Sequence, residues 1–241
     1  MLKGSRVATN RRPANIKDAM KILYQFASRS RPQNFFTGMD SIVKNSISTD
    51  YRIHVVADWD DHSMNDSATI ARLKEYPNTE MCLGKSKNKI HAINRLPHIK
   101  EQIIVNMSDD MVFTHNGFDE IIRQGFKDYF PFLDGVLHFN DGRQRDNCMT
   151  MSIIGIAHFR KDGYIYHPSY ESLWCDLEAQ DVAKKRGKYH YMGDSLQIFK
   201  HLHPSFGDAP MDKQYEKTES WEVRSKDEEV YRKRKVNNFP L

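Results

Sequence analysis

Two adjacent carboxylates follow an apolar stretch near the middle of the chain. Residues 103–107 have the composition of a buried strand, and Ser108, Asp109 and Asp110 come next. Buried charges are costly unless they are paired or bind a metal. Mg²⁺ and Mn²⁺ prefer oxygen ligands, usually one or two carboxylates together with substrate phosphates. The alternative is a solvated turn in which an aspartate caps the following helix.

Carboxylates also end a second strand-like stretch and begin a later helix. Asp58, Asp60 and Asp61 close the strand, where a carboxylate can accept hydrogen bonds from a ribose or a nucleobase. Asp176 and Glu178 begin a predicted helix, where a carboxylate could serve as general base for a hydroxyl nucleophile. Both groups have a plainer interpretation, because aspartate caps helices and acids suit the N-terminal end of a helix dipole.

Basic and histidine side chains supply two further candidates. Three lysines within residues 85–89 follow Gly84 just before a predicted helix, where they could meet a phosphate, although the spacing is not that of a Walker A loop. His201 and His203 are two residues apart, so on a strand they would share one face and could bind the same metal. Exposed lysines and structural histidines are the competing interpretations.

The elements that would position these groups alternate between strand and helix over the first half of the chain. The strands are predicted at residues 21–27, 51–58, 79–84 and 101–108. A helical pattern follows each of them, which predicts a mostly parallel sheet with helices on both faces. Ligands bind such sheets beyond the carboxyl ends of the strands. The polar groups at 28–31, 58–61 and 108–110 are therefore expected to meet in one crevice.

The second half of the chain is less regular and is expected to supply the other wall of that crevice. Strands are predicted within 134–142 and 149–159, and a last strand runs into the histidine-containing loop. No linker signal interrupts the chain. The sequence therefore predicts one domain over residues 20–210, followed at 211–241 by a polar tail that is helical or loose.

Composition and charge limit the class of protein. With 39% hydrophobic and 28% charged residues, the 241-residue chain is typical of soluble, globular proteins. Cys82, Cys148 and Cys175 lie far apart, which indicates a reducing compartment and no zinc site. Without a signal-peptide pattern or an apolar run of about 20 residues, we expect a cytoplasmic location and no membrane span. The formal charge of +4 lies in residues 1–19, predicted to be a flexible extension, with a transit peptide or phosphate-contacting arm as alternatives.

Taken together, these motifs resemble the nucleotide-sugar glycosyltransferases of the GT-A fold, especially the family-2-like group, over about residues 20–205. Residues 27–32 (ASRSRP) are similar to the opening nucleotide-binding turn of this group, and residues 55–61 (VVADWDD) to its second strand, which ends in aspartate. Residues 84–94 (GKSKNKIHAIN) are similar to the segment near the diphosphate that contains a lysine and an asparagine. VNMSDDMV is similar to the DXD metal motif, with Ser108 in place of the first aspartate. WCDLEAQDVAKKRGK resembles the helix of the catalytic base, with Cys175 in place of a glutamate.

The resemblance implies a Rossmann-like GT-A domain in which residues 20–115 bind the nucleotide sugar and residues 116–210 bind the acceptor. The late histidine of the family often completes the metal or diphosphate site. The residues implied are, for the nucleotide sugar, Ala27, Ser28, Arg29, Arg31, Asp58, Lys89, Asn94, Ser108 and Asp109; for Mn²⁺ or Mg²⁺, Asp110, His201 and His203; as catalytic base, Asp176; and for the acceptor, Asp141 and Trp174.

The reaction implied is a single displacement with inversion, in which a sugar leaves a nucleoside diphosphate for an acceptor hydroxyl. A UDP-sugar is favoured over a GDP-sugar, and the acceptor stays open between a glycan, a lipid-linked sugar and a modified nucleic-acid base. One rival function is that of a sugar nucleotidyltransferase, against which the absence of glycine from ASRSRP counts. The other is non-catalytic nucleic-acid binding, for which basic charge is expected on a folded face rather than in residues 1–19.

Overall fold

Alternating strands and helices build the first half of the molecule. The computed structural model describes residues 20–204, 207–208 and 210–240, so the predicted extension at 1–19 lies outside the described residues. The strands are β1 (Ile22–Ala27), β2 (Tyr51–Asp58), β3 (Thr79–Gly84), β4 (Ile103–Met107), β5 (Met111–Phe113), β6 (Val136–His138), β7 (Ile153–Gly155), β8 (Tyr189–Tyr191) and β9 (Phe199–His201). The α-helices are α1 (Pro32–Asn45), α2 (Ser67–Leu73), α3 (Lys89–Ile93), α4 (Phe118–Tyr129), α5 (Ile156–Asp162), α6 (Cys175–Lys185), α7 (Lys213–Thr218) and α8 (Trp221–Val236).

Seven strands form the central sheet in the order β3-β2-β1-β4-β7-β6-β8. The first four are parallel to one another, β7 runs antiparallel to both β4 and β6, and β8 runs parallel to β6. A separate small sheet consists of β5 and β9, which are antiparallel. The prediction of an α/β fold with a mostly parallel sheet is confirmed.

Both faces of β1 are buried, which explains why its sequence is a continuous apolar run. Ile22, Tyr24 and Phe26 belong to a core that includes side chains of α1 and α4. Leu23 belongs to a second core, which includes side chains of α3, α6 and α8. Alternate residues of a strand point to opposite faces, so helices cover this sheet on both sides.

Residues 156–159, for which the sequence pattern predicts a strand, form the start of α5 instead. Gly155 ends β7, and a Cβ atom there would lie 2.2 Å from the carbonyl oxygen of Leu133. That carbonyl accepts the N–H groups of Ala157 and His158 at 2.9 and 3.1 Å. A carbonyl from a distant part of the chain thus engages the first turn of the helix, and local sequence carries no signal of it.

The segment after residue 211 forms two helices, α7 and α8. Asp212 and Ser220 cap them, with side-chain oxygens that accept backbone N–H groups of the first turn. Tyr231 of α8 stacks on Trp174 just before α6, with ring centroids 5.4 Å apart, and its hydroxyl donates to Asp181 at 2.7 Å. None of the helices in the described residues has the length and apolar character needed to cross a membrane.

A buried ion pair ties α4 to the chain that enters β2. Asp119 and Arg123 lie 2.7 Å apart with side chains no more than 1% exposed. The same carboxylate accepts the N–H groups of Ile47 and Ser48, both at 3.1 Å. The guanidinium also donates to the carbonyl oxygen of Asp50 at 3.0 Å. The pair therefore fixes the loop that begins the second strand.

Replacing Asp119 with alanine should lower the free energy of unfolding by about 3 kcal/mol or more, because it leaves a buried guanidinium without its enclosed partner and two N–H groups unpaired. Urea denaturation measures this change. Glu120→Ala removes a second partner of the same guanidinium, at 2.7 Å but 44% exposed, and should cost less than about 1 kcal/mol. Equal losses in the two variants would contradict the importance given to burial.

Candidate active site

The turn after β1 reaches across to the end of β4. Ser28 Oγ donates to Asp109 Oδ2 at 2.8 Å, and Arg31 Nη1 lies 3.1 Å from Asp109 Oδ1. Both partners of this ion pair are less than 10% exposed, so water screens it little. Burial and the adjacent charge of Asp110 raise the pKa of Asp109 above its usual range, while Arg31 and Ser28 act in the opposite direction.

A second group of contacts between the strand ends is centred on Asp58, at the end of β2. Its carboxylate accepts from Arg29 Nη1 at 2.9 Å, from Arg95 Nη1 at 3.2 Å and from the backbone N–H of Ser86 at 2.8 Å. These three partners come from the turn after β1, the segment after α3 and the loop after β3. Together with the Asp109 contacts, they confirm that the three polar strand ends converge.

These groups line a cleft of about 270 Å³ at the carboxyl ends of β1, β2 and β4. The predicted residues that line it are Ala27, Ser28, Arg29, Arg31, Asp58, Lys89, Ser108 and Asp109. The sequence pattern did not indicate the contribution of the C-terminal helices, which line the cleft with Gln214, Tyr215, Lys217, Thr218 and Val223. Tyr215, an aromatic residue in this polar segment, was a weak signal, because Trp221 of the same segment is exposed.

Asp110 has partners different from those of Asp109, and the small sheet supplies one of them. Met111 of β5 pairs with His201 of β9, and His201 Nε2 lies 3.4 Å from Asp110 Oδ2. Tyr215 of α7 donates its hydroxyl to the same oxygen at 2.8 Å. Although burial opposes the change, His201 lowers the pKa of Asp110. Asp110 Oδ1 is buried and has no hydrogen-bond partner among the described residues.

His201 lies between two carboxylates. Its Nδ1 atom is 3.8 Å from Asp141 Oδ2, an oxygen that also accepts the hydroxyl of Thr150 at 3.0 Å. Against the effect of burial, Asp110 and Asp141 raise the pKa of His201 to about 9. The neighbouring His203 has its Nε2 atom 2.8 Å from Glu219. His201 is therefore the histidine placed beside the aspartate of the predicted metal motif.

The donor atoms around Asp110 suit a divalent cation that binds together with a substrate. Across residues 20–204, 207–208 and 210–240, no three His, Cys, Asp or Glu side chains are arranged to hold a metal ion. Mg²⁺ in nucleotide sites usually takes only one or two carboxylates from the protein, and phosphates and water complete its shell. Asp110 fits such a partial set, because its Oδ1 atom has no partner among the described residues and its Oδ2 atom lies 3.4 Å from His201.

Asp176 lies at the start of α6. Residues 148–150 connect it to Asp141, the carboxylate that lies beside His201. The Oδ2 atom of Asp176 accepts the thiol of Cys148 at 3.3 Å, and Oδ1 accepts the N–H of Leu177 at 2.8 Å. Burial and the Asp176 charge raise the pKa of Cys148, so the thiol stays protonated and donates. Two residues further on, Thr150 contacts Asp141.

Asn94 and Trp174 have side chains engaged elsewhere in the fold. The predicted site residues that do not line the cleft are Asn94, Asp110, Asp141, Trp174, Asp176, His201 and His203. Asn94 donates to the carbonyl of Tyr166 at 2.7 Å and accepts the N–H of Ile165 at 3.0 Å, which fastens the loop after α5. Trp174 stacks on Tyr231. Nucleotide-sugar binding by Asn94 and acceptor binding by Trp174 stay predictions.

Solved structures show the same architecture. S. aureus TarS, as residues 1–349 in complex with UDP-GlcNAc, is 13% identical and has a TM-score of 0.59, with 75% of this chain and 58% of that chain covered. The mannosyltransferase PcManGT from Pyrobaculum calidifontis, in complex with GDP-Man and Mn²⁺, is 12% identical, with a TM-score of 0.59 and coverage of 78% and 58%. The chain has the GT-A fold.

The low sequence identity and the partial coverage limit what the similarity to these structures establishes. The chain spans 36 to 60% of the length of the TarS and mannosyltransferase structures that it matches. No protein-family model matches the chain, and no curated protein matches it. With 11 to 13% identity, the comparison establishes the GT-A fold, and the chemistry rests on the residues of the cleft.

Arg31 connects the GT-A cleft to α7. Its Nε and Nη2 atoms donate to Asp212 at 2.8 and 2.7 Å, and its guanidinium carbon lies 3.6 Å from the centre of the Tyr215 ring. Asp212 is also the residue that caps α7. The side chain thus holds both the cap and the buried tyrosine of this helix.

Arg31→Gln should release α7, so its backbone amides should exchange with deuterium about tenfold faster or more, which corresponds to about 1.4 kcal/mol. Arg224→Gln is the matched control, because that side chain is 48% exposed and 3.6 Å from Glu219. It should leave exchange in α7 unchanged. Unchanged exchange in Arg31→Gln would show that α7 is held by other contacts.

Proposed function

We propose that the protein is a nucleotide-sugar-dependent glycosyltransferase that uses Mn²⁺ or Mg²⁺ and transfers a sugar to an acceptor hydroxyl. The observation that carries this proposal is the cleft lined by Arg31, Asp58 and Asp109, followed in the chain by Asp110, whose buried Oδ1 atom has no partner among the described residues. Structures of the same fold in complex with UDP-GlcNAc, or with GDP-Man and Mn²⁺, support it.

The donor would lie in the cleft at the strand ends. Asp58 retains acceptor capacity for a nucleobase or ribose, whereas Arg29, Arg31 and Lys89 supply positive charge for the diphosphate. Asp109 would face the sugar or the ribose. We favour a UDP-sugar as donor and keep a GDP-sugar as the alternative.

Asp110 and His201 would hold the cation, and His201 would give up its proton to do so, because only a neutral imidazole binds a metal. His203, whose Nε2 atom contacts Glu219, stays a predicted metal ligand. A bound divalent cation neutralises the charge that develops on a departing diphosphate. Asp176 would accept the proton of the acceptor hydroxyl as that oxygen attacks the anomeric carbon from the face opposite the diphosphate. The products of this single displacement are the inverted glycoside and a nucleoside diphosphate. Acceptor binding by Asp141 stays a prediction.

A panel of nucleotide sugars and nucleoside diphosphates with Mn²⁺ or Mg²⁺ tests the function. UDP or UDP-sugars should raise the melting temperature in the presence of metal, because a ligand that binds only the folded state stabilises it. Release of nucleoside diphosphate from the matching sugar measures turnover. Release of pyrophosphate would indicate a sugar nucleotidyltransferase instead, and no response to any nucleotide would overturn the proposal.

The variant Asp110→Ala shows whether this response depends on the assigned metal ligand. It should lose the metal-dependent part of the stabilisation, while Asp128→Ala, at an exposed acid of α4, should retain it. Unchanged nucleotide affinity of Asp110→Ala in the presence of metal would count against the site.

Asp176→Asn should reduce sugar transfer by at least about 100-fold, since general-base catalysis typically contributes a factor of that order or more. Its affinity for nucleoside diphosphate and metal should stay close to that of the wild type, because Asp176 does not line the donor cleft. Steady-state kinetics and calorimetric titration measure the two quantities. Transfer at the wild-type rate would remove Asp176 from the mechanism.

A further inference from the structure

We propose that Asp227, in the middle of α8, is a positioning residue for the transfer reaction, a role that rests on the proposed function. Its carboxylate is fully buried. It accepts the backbone N–H groups of three consecutive residues, Glu171 at 2.9 Å and Ser172 and Leu173 at 2.8 Å each. Hydrogen bonds to an ionised acceptor are about twice as strong as neutral ones. A helix near the end of the chain therefore anchors the turn at 171–173.

This turn connects the donor cleft to the proposed base. Glu171 and Ser172 line the cleft, and Asp176 lies three residues beyond Leu173. Trp174, between them, has a left-handed backbone with φ +63° and ψ −11°. A bulky residue keeps this conformation only where its surroundings enforce it.

The same helix also contacts the residues on the far side of the turn. Tyr231, four residues after Asp227, stacks on the Trp174 ring. Arg234 Nε donates to both carboxylate oxygens of Glu178, at 3.0 and 2.8 Å, in the first turn of α6. Contacts from one face of α8 thus hold the turn before Asp176 and the helix after it.

Such an arrangement matters for the reaction rather than only for stability. A general base acts only within hydrogen-bond reach of the proton that it removes, and small displacements reduce the rate. Glu171 and Ser172 also line the cleft, but the charged and polar groups proposed to bind the donor and the cation, on Ser28, Arg31, Asp58 and Asp110, belong to other elements. Loosening the turn should therefore displace the base more than the donor site. The expected signature is a loss in kcat with little change in donor affinity.

Asp227→Asn tests this role, because the amide keeps the size of the carboxylate but directs an NH₂ group at backbone donors. Hydrogen exchange of the amides at 171–173 should become at least about tenfold faster. The kcat for transfer, or for donor hydrolysis without an acceptor, should fall about tenfold or more. The dissociation constant of UDP with Mn²⁺ should change by less than about threefold. Glu229→Gln, on the exposed face of α8 where Glu229 pairs with Lys233, should behave as the wild type in all three measurements.

The outcomes separate this role from the proposed function. Faster exchange with unchanged kcat would overturn the positioning role, and unchanged exchange would overturn the anchor itself. Inactivity of the wild type with every nucleotide sugar would overturn the proposed function and this role with it. If Asp227→Asn does not fold, wild-type exchange decides the anchor. The amides at 171–173 should then open together with those of α8, and earlier opening would contradict it.

Discussion

The central constraint on this structure is that two adjacent carboxylates, Asp109 and Asp110, are both buried at the end of β4. Their charges repel, so each needs its own compensating partners. Asp109 receives them from the turn after β1, through Ser28 and Arg31. Asp110 receives them from elements that lie far away in the chain, His201 of β9 and Tyr215 of α7. The side chains that compensate these two charges therefore come from the turn after β1, from β9 and from α7.

Their partners place the two carboxylates in different environments. Asp109 has both oxygens engaged by the protein, and its pKa is raised by burial and by Asp110. Asp110 has one oxygen engaged twice and the other unpartnered within the described residues, and its pKa is lowered by His201 despite burial. The second oxygen is thus a buried acceptor with capacity left over, which supports the proposal that Asp110 is a metal ligand.

The first half of the fold is predictable from sequence because its signals are local. Strands buried on both faces are continuous apolar runs, and the polar strand ends mark the cleft. The three-residue strands β5 and β8 carry no such signal, since they are too short for a pattern. The small sheet that brings His201 to Asp110 depends on pairing between residues 111–113 and 199–201. The histidine was therefore found only through its residue type and the family resemblance.

The C-terminal segment shows why polar composition is a poor guide to structural importance. α8 has few apolar residues, yet Asp227 is fully buried and Tyr231 nearly so. Burying a carboxylate is favourable only when enough donors meet it, and the three N–H groups of residues 171–173 meet this requirement. An unpaired buried charge is far more costly than an exposed one, so moving the helix off these donors would be unfavourable. Polar contacts of Asp227 and the packing of Tyr231 on Trp174 thus act together where this helix docks on the turn that leads to Asp176.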